Sequence, residues 1–175
     1  MKIKIRRSIQ DDIDKIYTLH TECFDSTDLW YKSTIQHYLN SGIIIEKDSK
    51  IIGVLLQGTI TPCNKKINIE SDKEYKEDIF EPVNDKGKLF DPFEEYYGIV
   101  MICIHPKYRN KGLAKKLIEK HFNDNKNVIL CLNTRRSNIN AYQLYKKMGY
   151  EHIAFIKNKY FLPFEDSIFM IKNHI

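Results

Sequence analysis

The sequence has no long apolar run and no cysteine pattern typical of a disulfide framework or a zinc site. Its longest apolar runs, residues 51–56 and 99–104, are far shorter than the ~20 residues that a membrane helix needs. The four cysteines lie 28 to 40 residues apart, and none belongs to a C-x-x-C pair. These absences predict a protein without a membrane span and without a bound metal, whose cysteines are reduced thiols.

Two further signals are missing. Residues 1–8 alternate charged side chains with isoleucine and never open into the apolar stretch and small-residue cleavage site of a leader. We therefore expect a cytoplasmic protein without a membrane partner. Neither a G-x-x-x-x-G-K-[ST] loop nor a G-x-G-x-x-G fingerprint occurs, which disfavours nucleoside triphosphate hydrolysis and dinucleotide redox chemistry.

The length and composition of the chain predict one globular domain. The chain has 175 residues and a mass of 20.8 kDa, with 42% apolar and 29% charged residues, which is ordinary for a domain. Folding should bury about 70% of the unfolded surface, enough for a core without disulfides. We therefore expect residues 1–175 to form a single domain.

Charge is distributed unevenly along the chain. The formal net charge is +5, and a basic chain by itself can indicate nucleic-acid binding. Residues 70–95, however, hold ten acids and four lysines, so they carry −6 while the other 149 residues carry +11. Because the acidic segment would repel a polyanion, no nucleic acid is expected, and an anionic cofactor with a cationic substrate fits better. A solvated acidic loop without a ligand explains the same pattern.

Hydrophobic periodicity and turn residues predict alternating strands and helices. Residues 61–94 are polar, contain three prolines and show no sustained period, so we expect an inserted acidic loop between the third and fourth strands. The order β-α-α-β-β-β-α-β-α-β-β predicts an α/β (α+β) fold with a mixed central sheet and helices on both faces. The strands are expected at about 2–7, 43–46, 51–60, 95–104, 128–132, 150–160 and 165–172, and the helices after a cap at Ser8–Asp11, at 28–40, after residue 112 and after a cap at Ser137.

The first chemical motif lies where the fourth predicted strand turns into a helix, at Arg109-Asn-Lys-Gly112-Leu-Ala114. The first backbone N–H groups of a helix have no partner within it, and the helix dipole adds positive charge, so this turn can bind a phosphate. Gly112 allows close approach of the main chain, and Arg109 and Lys111 supply counter-charge. The pattern predicts a pyrophosphate-binding loop, although a plain strand-to-helix turn can have the same letters.

A second motif, N-x-x-A-x-x-L-Y-x-x-x-G-Y, begins at Asn138, 29 residues after Arg109, and ends at Tyr150. Together with R-x-x-G-x-A after a strand and a proline, it resembles the GNAT superfamily of acetyl-CoA-dependent N-acetyltransferases. The likeness is dense from Tyr97 to Tyr150, and the predicted order of elements fits that fold over nearly the whole chain. The resemblance implies a splayed sheet with acetyl-CoA in the cleft between its two central strands.

The resemblance also implies roles for particular residues. The backbone of Ile102, Cys103 and Ile104 would pair with the pantetheine arm, and Asn138 would contact the same arm. Tyr145 would lie beside the sulfur as general acid, since a departing thiolate needs a proton that a phenol can donate. Without the flanking motif, Tyr145 is explained as a core residue on an apolar stripe. The pyrophosphate would be held by the loop residues Arg109, Asn110, Lys111, Gly112, Leu113 and Ala114.

The general base is not assigned by the resemblance. The strand positions where many relatives place one are occupied here by Gly98 and Asn133, which cannot accept the proton of the amine. A one-residue bulge would instead present Tyr97 or Glu95, because a slip of one residue reverses the side-chain facing. His105 is a further candidate, although it follows the strand directly, and an ordered water could relay the proton to the acidic insert.

Two aromatic segments are candidates for binding the amine that accepts the acetyl group. One joins the first two helices and contains Phe24, Trp30 and Tyr31, and the other joins the last two strands and contains Tyr160. Both resemble the substrate loops of family members that acetylate protein N-termini, so these four residues are candidate substrate-binding residues. The closing pair here is Tyr160-Phe161, and the first segment lacks the proline usual in those enzymes. Aromatic residues at these places are equally explained as the edge of the core.

The sequence thus predicts an acetyl-CoA-dependent N-acetyltransferase that works by direct transfer in a ternary complex, as a monomer or homodimer. The expected acceptor is a peptide or protein N-terminal amine. A small cationic amine such as a polyamine is an alternative acceptor. A non-catalytic acyl-CoA-binding module that lost its strand base is an alternative function.

Overall fold

The computed structural model describes residues 3–63, 78–161 and 163–173. These described residues form four α-helices and eight strands. The helices are α1 (Ile13–Cys23), α2 (Lys32–Tyr38), α3 (Leu113–Asp124) and α4 (Ile139–Lys147). The strands are β1 (Ile3–Arg7), β2 (Ile43–Lys47), β3 (Lys50–Ile60), β4 (Ile79–Pro82), β5 (Tyr96–Ile104), β6 (Leu130–Arg135), β7 (Glu151–Phe161) and β8 (Phe164–Lys172). The chain is mixed α/β, as the sequence predicts.

The chain divides into two compact units, Met1–Gly58 with Gly98–Val128 and Thr59–Tyr97 with Ile129–Ile175. In the first unit, β2 pairs antiparallel with β1 and forms the predicted hairpin with β3. The turn of this hairpin contains Asp48 and Ser49, whose φ angles of 49° and 63° are both positive. Such a turn matches the twist of the flanking strands, so the hairpin forms from local sequence.

Helices cover both faces of the sheet in the first unit. Ile16 of α1 and Ile35 of α2 belong to one core cluster with Ile44 of β2. Ile43 and Ile45 alternate with Ile44 along the strand, so they lie on the opposite face, where they are fully buried and α3 contacts β2. Because β2 is apolar on both faces, it can be stable only between two layers of helices.

The second helix begins later than the sequence predicts, at Lys32 rather than near residue 28. Residues 26–28 form a single 3₁₀ turn. The backbone N–H of Trp30 donates to the imidazole of His20 on α1 (2.8 Å) instead of to a helix carbonyl. A side chain from the preceding helix therefore holds this segment in a non-helical conformation, which local periodicity cannot show.

The second unit contains a strand that the sequence does not predict. Its strands lie in the order β6-β8-β7-β4, and each pairing is antiparallel. Strand β4 lies within residues 61–94, which the sequence indicates as an inserted loop. It is four residues long and mostly exposed, so it has no alternation strong enough to recognise. Residues 64–77 of the predicted loop lie outside the described residues.

The described part of the insert packs on the sheet of the second unit. The rings of Phe80, Phe90 and Tyr96 lie 6.0 to 6.1 Å from the fully buried ring of Phe169 on β8. The Tyr96 hydroxyl also donates to the carbonyl of Asp91 (3.1 Å). Aromatic burial of this kind is favourable, so this part of the acidic segment is a folded part of the unit.

Three properties of the described residues bear on function. No helix among them is long and apolar enough to cross a bilayer. No three of their His, Cys, Asp and Glu side chains cluster where they could hold a metal ion. The cysteines Cys23, Cys63, Cys103 and Cys131 are free thiols.

An ion pair between Arg6 and Asp12 ties β1 to the start of α1. The Asp12 carboxylate, whose side chain is 2% exposed, accepts two bonds from the guanidinium (2.6 and 2.9 Å) and one from the N–H of Ile9 (2.9 Å). The bond from Arg6 is the main reason that the pKa of Asp12 lies below its usual value. Asp12→Asn should therefore lower the free energy of unfolding at neutral pH by about 3 kcal/mol, measured by urea denaturation.

The pH dependence of stability is a second test of the Arg6–Asp12 ion pair. Because the folded-state pKa of Asp12 is lowered, its contribution is present above the unfolded value of 3.8 and is lost as the pH falls through the folded value. Acid should therefore destabilise the wild type more than D12N.

Asp85→Asn is the matched control for Asp12→Asn. Asp85 pairs with Lys88 while 96% exposed, so no measurable loss of unfolding free energy is expected. Equal unfolding curves for D12N and wild type would contradict this assignment.

Candidate active site

Strand β5 leads into the predicted phosphate-binding loop through a 3₁₀ turn, Pro106–Tyr108. His105 caps this turn, because its Nδ1 accepts the N–H of Lys107 (3.1 Å). Its Nε2 lies 3.3 Å from a carboxylate oxygen of Glu22 on α1, and the side chain is buried. Both ring nitrogens therefore have partners within the first unit, which disfavours His105 as the general base.

The loop turns through two left-handed residues. Asn110 (φ 60°) and Gly112 (φ 72°) redirect the chain immediately before α3 begins at Leu113. Gly112 is the N-cap, and no side chain of the described residues caps this end of the helix. A Cβ atom built on Gly112 would meet none of the described residues within 4 Å, so they leave the space beside it open. The helix dipole, the N–H groups of the first turn and this open space together suit a pyrophosphate.

Basic side chains surround the loop, and some of their N–H groups have protein partners. The Arg109 guanidinium donates to the carbonyl of Ile104 (3.1 Å) and to that of Cys23 (3.4 Å). Lys111 donates to the carbonyl of Lys107 (3.4 Å). Arg109 thus fixes the loop against the ends of β5 and α1, and a guanidinium has further N–H groups for an anion.

The candidate pantetheine-binding residues form the end of β5. Ile102 is half-buried and Ile104 is buried, while the side chain of Cys103 belongs to the core cluster beside α1 and α2. A hydrogen bond with the thiol of Cys23, together with burial, raises the pKa of the Cys103 thiol. Since the side chain of Cys103 is part of the core, its backbone is the part left to contact a ligand, and the pantetheine role that the resemblance implies stays a prediction.

In the second unit, Asn138 is the N-cap of α4, and its Oδ1 accepts the N–H of Ala141 (3.2 Å). The sequence places this cap at Ser137, but the N–H and the hydroxyl of Ser137 both donate to Glu165 instead. The side chain of Asn138 is exposed. Its amide N–H₂ group can still contact a ligand, so the capping bond is compatible with the implied role.

Tyr145 is a buried residue of α4, only 5% exposed, and the ring of Tyr150 packs edge-on against it at 5.8 Å. Burial raises the pKa of the Tyr145 hydroxyl, and Tyr160 raises it further. The hydroxyl is therefore protonated at neutral pH, as a general acid must be. The other residues of the predicted apolar stripe are half-buried: Ala141, Leu144 and Met148.

The candidate positions for a general base differ in chemistry and exposure. Gly98 is buried, and the half-buried Asn133 on β6 accepts a bond from the hydroxyl of Ser167 through its Oδ1 (3.3 Å). Tyr97 is half-buried on β5, and Glu95 is exposed just before that strand. A glycine and an amide cannot take a proton from an amine, so Tyr97 and Glu95 stay the candidate bases at this strand.

The candidate substrate-binding residues also differ in exposure. Phe24 and Trp30 are partly buried against the core cluster of the first unit, whereas Tyr31 is 82% exposed. In the second unit, the guanidinium of Arg135 lies 4.1 Å from the centre of the Tyr160 ring, a cation–π contact that fixes the ring. Phe24 and Trp30 are thus edges of the core, and Tyr31 offers an accessible aromatic surface.

The β7–β8 hairpin has an irregularity that the sequence analysis misses. The register of β7 shifts between Ile156 and Tyr160, where Asn158 has a φ of 58°. Asp166 on β8 stabilises this bulge by accepting the N–H of Asn158 (3.3 Å). Without the bulge, Glu165 would pair with Asn158, and with it Glu165 pairs with Tyr160. An asparagine within an otherwise ordinary strand is the sequence signal that could have indicated it.

Residues 79–152, which contain both motifs, match a family model described as an acetyltransferase (GNAT) domain. Over these residues the chain is similar to GNAT acetyltransferase domains. The resemblance found in the sequence is therefore confirmed, and with it the predictions of an acetyl-CoA-dependent acetyltransferase and of a GNAT-like α/β fold. No curated protein matches the sequence.

Solved structures share this GNAT fold over nearly the whole chain. Arabidopsis thaliana NAA60 in complex with acetyl-CoA is 16% identical, with a TM-score of 0.72 over 98% of this chain and 99% of that chain. The ribosomal-protein-S18-alanine N-acetyltransferase from Escherichia coli is 16% identical, with a TM-score of 0.70 over 97% and 92%. Chaetomium thermophilum Naa20 in complex with a bisubstrate analogue is 19% identical, with a TM-score of 0.68 over 97% and 86%. At such identities the likeness establishes the fold.

Proposed function

We propose that this GNAT acetyltransferase acetylates the α-amino group of a peptide or protein N-terminus, by direct transfer in a ternary complex with acetyl-CoA. Support comes from the Escherichia coli structure of the same fold, an N-acetyltransferase of the alanine of ribosomal protein S18. Further support comes from two separate aromatic rings, the exposed Tyr31 in the first unit and the fixed Tyr160 in the second unit, each of which an amide group can lie against. Phe24 and Trp30 of the first unit are proposed to back Tyr31.

The observation that carries the proposal is the start of α3. Gly112 is left-handed, no side chain in the described part of the chain caps the helix there, and that part leaves open the space that a Cβ would enter. A diphosphate placed in that space would accept bonds from backbone N–H groups and meet the Arg109 guanidinium. The residues present therefore fit acetyl-CoA as co-substrate.

The chain supplies a proton donor for the transfer. When bound, acetyl-CoA supplies a thioester whose C–S bond breaks as the amine nitrogen bonds to the carbonyl carbon. Tyr145, which burial keeps protonated, donates its proton to the leaving sulfur. Tyr97, in its phenolate form, accepts the proton that the amine loses, directly or through a water. General acid catalysis of this kind contributes about 10² to 10⁴ in rate.

A small cationic amine is the second candidate acceptor, and one observation favours it. Of the acidic segment, residues 78–95 contain six acids and two lysines, and part of this stretch is folded on the second unit through Phe80 and Phe90. A fixed negative surface raises the local concentration of a polycation. Polyamines therefore belong in the same screen as peptides.

A screen of amines tests the proposed function. The full chain would be incubated with acetyl-CoA and three acceptor sets: peptides with free N-termini, the same peptides with blocked N-termini and an internal lysine, and polyamines. Thiol release would report turnover, and mass spectrometry would locate the acetyl group. We expect acetylation of free N-termini. Transfer only to polyamines would select the second acceptor, and thermal stabilisation by acetyl-CoA without any turnover would indicate a binding module.

A further inference from the structure

His20 hydrogen-bonds both ends of the segment that connects α1 to α2. Its Nε2 accepts the backbone N–H of Trp30 (2.8 Å), and its backbone carbonyl accepts the N–H of Phe24 (3.1 Å). The imidazole also packs against the ring of Phe24, with centroids 4.7 Å apart, and against the indole of Trp30 at 6.2 Å. We call residues 24–31 the connecting segment. A single residue of α1 thus holds this segment at its beginning and near its end.

The protonation state of His20 follows from these contacts. Because Nε2 accepts a hydrogen bond, the proton of the neutral ring is on Nδ1. The side chain is 1% exposed, and Nδ1 has no hydrogen-bond partner among the described residues. A protonated ring would carry N–H groups on both nitrogens and could not accept the N–H of Trp30. Protonation must therefore break the bond to the connecting segment.

The surroundings of His20 favour the neutral ring. Burial lowers the pKa of His20, and the carboxylate of Asp28 in the connecting segment opposes this by raising it. The net direction is downward from 6.5. The other titratable side chains in the core cluster beside α1 are two phenols and two thiols: Tyr17, Tyr38, Cys23 and Cys103.

We propose that His20 is a positioning residue, whose neutral imidazole holds the connecting segment in the conformation that receives the acceptor amine and whose protonation releases that segment. The proposal rests on the proposed function in one respect, the assignment of Tyr31 and its neighbours to the acceptor. His20 acts through Trp30 and its segment, and it does not itself contact the reacting atoms.

Fluorescence tests the release directly, because Trp30 is the one tryptophan in the sequence. The emission of the full chain would be followed from about pH 8 to about pH 4.5, with far-UV circular dichroism as a measure of the intact fold. We expect one reversible change in emission below pH 6.5 at constant ellipticity. His20→Gln, whose Oε1 can accept the same N–H without titrating, should keep the high-pH spectrum and lose the transition. His20→Phe should give the low-pH emission at every pH.

Kinetics test the positioning role. His20→Phe should raise KM for the acceptor about tenfold, the effect of losing one buried hydrogen bond, while kcat and the KM for acetyl-CoA stay within about twofold. His20→Gln should restore the acceptor KM. His152→Gln is the matched control, because burial also lowers the pKa of His152 in the second unit. It should change neither the acceptor KM nor the emission transition.

The outcomes separate this proposal from the proposed function. An unchanged transition in H20Q would overturn the proposal, and this variant decides the matter if H20F does not fold. Wild-type acceptor KM in a folded H20F would also overturn it, while acetyl transfer by the wild type would leave the proposed function standing. If the wild type transfers no acetyl group but the fluorescence results are as expected, the proposed function fails and the hold of His20 on the connecting segment is supported.

Discussion

Tyr145→Phe should lower kcat by about 10² to 10⁴ while the affinity for acetyl-CoA stays within about twofold. The substitution removes the hydroxyl that protonates the leaving thiolate and keeps the ring, whose edge-on contact with Tyr150 maintains the packing. Burial raises the pKa of Tyr145 above its ordinary value of 10, so the hydroxyl keeps its proton at any pH below about 9. Over that range, deprotonation of Tyr145 should not lower kcat. Thiol release measures kcat, and titration calorimetry measures the affinity for acetyl-CoA.

Tyr150→Phe is the matched control for this substitution. Tyr150 is 2% exposed, and its hydroxyl has no hydrogen-bond partner among the described residues. Removal of that hydroxyl also changes a buried tyrosine to phenylalanine, but kcat should stay within about threefold. Wild-type kcat in Y145F would remove Tyr145 from the mechanism, and equal losses in both variants would indicate a packing effect.

Gly112→Val should raise the Kd for acetyl-CoA about 100-fold or more, equivalent to about 2.7 kcal/mol. A β-branched residue is strained at a φ of 72°. Its side chain would also enter the open space beside the first turn of α3, where the diphosphate is proposed to bind. Calorimetry with acetyl-CoA and the thermal shift that the ligand produces both measure this loss.

Gly149→Val separates backbone strain from loss of the binding space. Gly149 has a φ of 85°, and among the described residues a Cβ there would meet the side chain of Lys172 alone, at 3.6 Å. The two variants should therefore lose similar stability, about 1 to 3 kcal/mol, but G149V should bind acetyl-CoA like the wild type. Unchanged affinity in G112V, or equal weakening in both variants, would refute the proposed diphosphate site.

Local signals predict most of the secondary structure. The β2–β3 hairpin follows from two continuous apolar strands on either side of a polar turn at Asp48 and Ser49, residues that accept positive φ. Helical spacing of the apolar residues in α3 indicates a buried stripe, and Leu113, Leu117 and Ile118 on it are buried. The polar His121 at the end of the helix is also fully buried. Its buried partner is Gln57, 64 residues away, so the pattern of α3 alone could not indicate it.

The sequence predicts the candidate site less completely than it predicts the secondary structure. The turn at Gly112 can be recognised from the sequence, because a glycine between a strand and a helix usually marks a backbone conformation that other residues rarely adopt. The capping bond of Asn138 and the carbonyl contacts of Arg109 are not visible in the motifs. They show that both residues stabilise local structure in addition to any contact with a ligand. The general base is not fixed by either motif, since its position depends on the pairing of strands.

By itself, the sequence determined the order of elements apart from β4, the family motifs and the residues that begin α3, because each depends on neighbours within a few positions. Only the tertiary structure decided the late start of α2, the pairing of β4 with β7 and the bulge at Asn158. The physical reason is that these features depend on hydrogen bonds between segments, such as the one from Trp30 to His20 and the one from Asn158 to Asp166. No local periodicity encodes which side chain will accept such a bond.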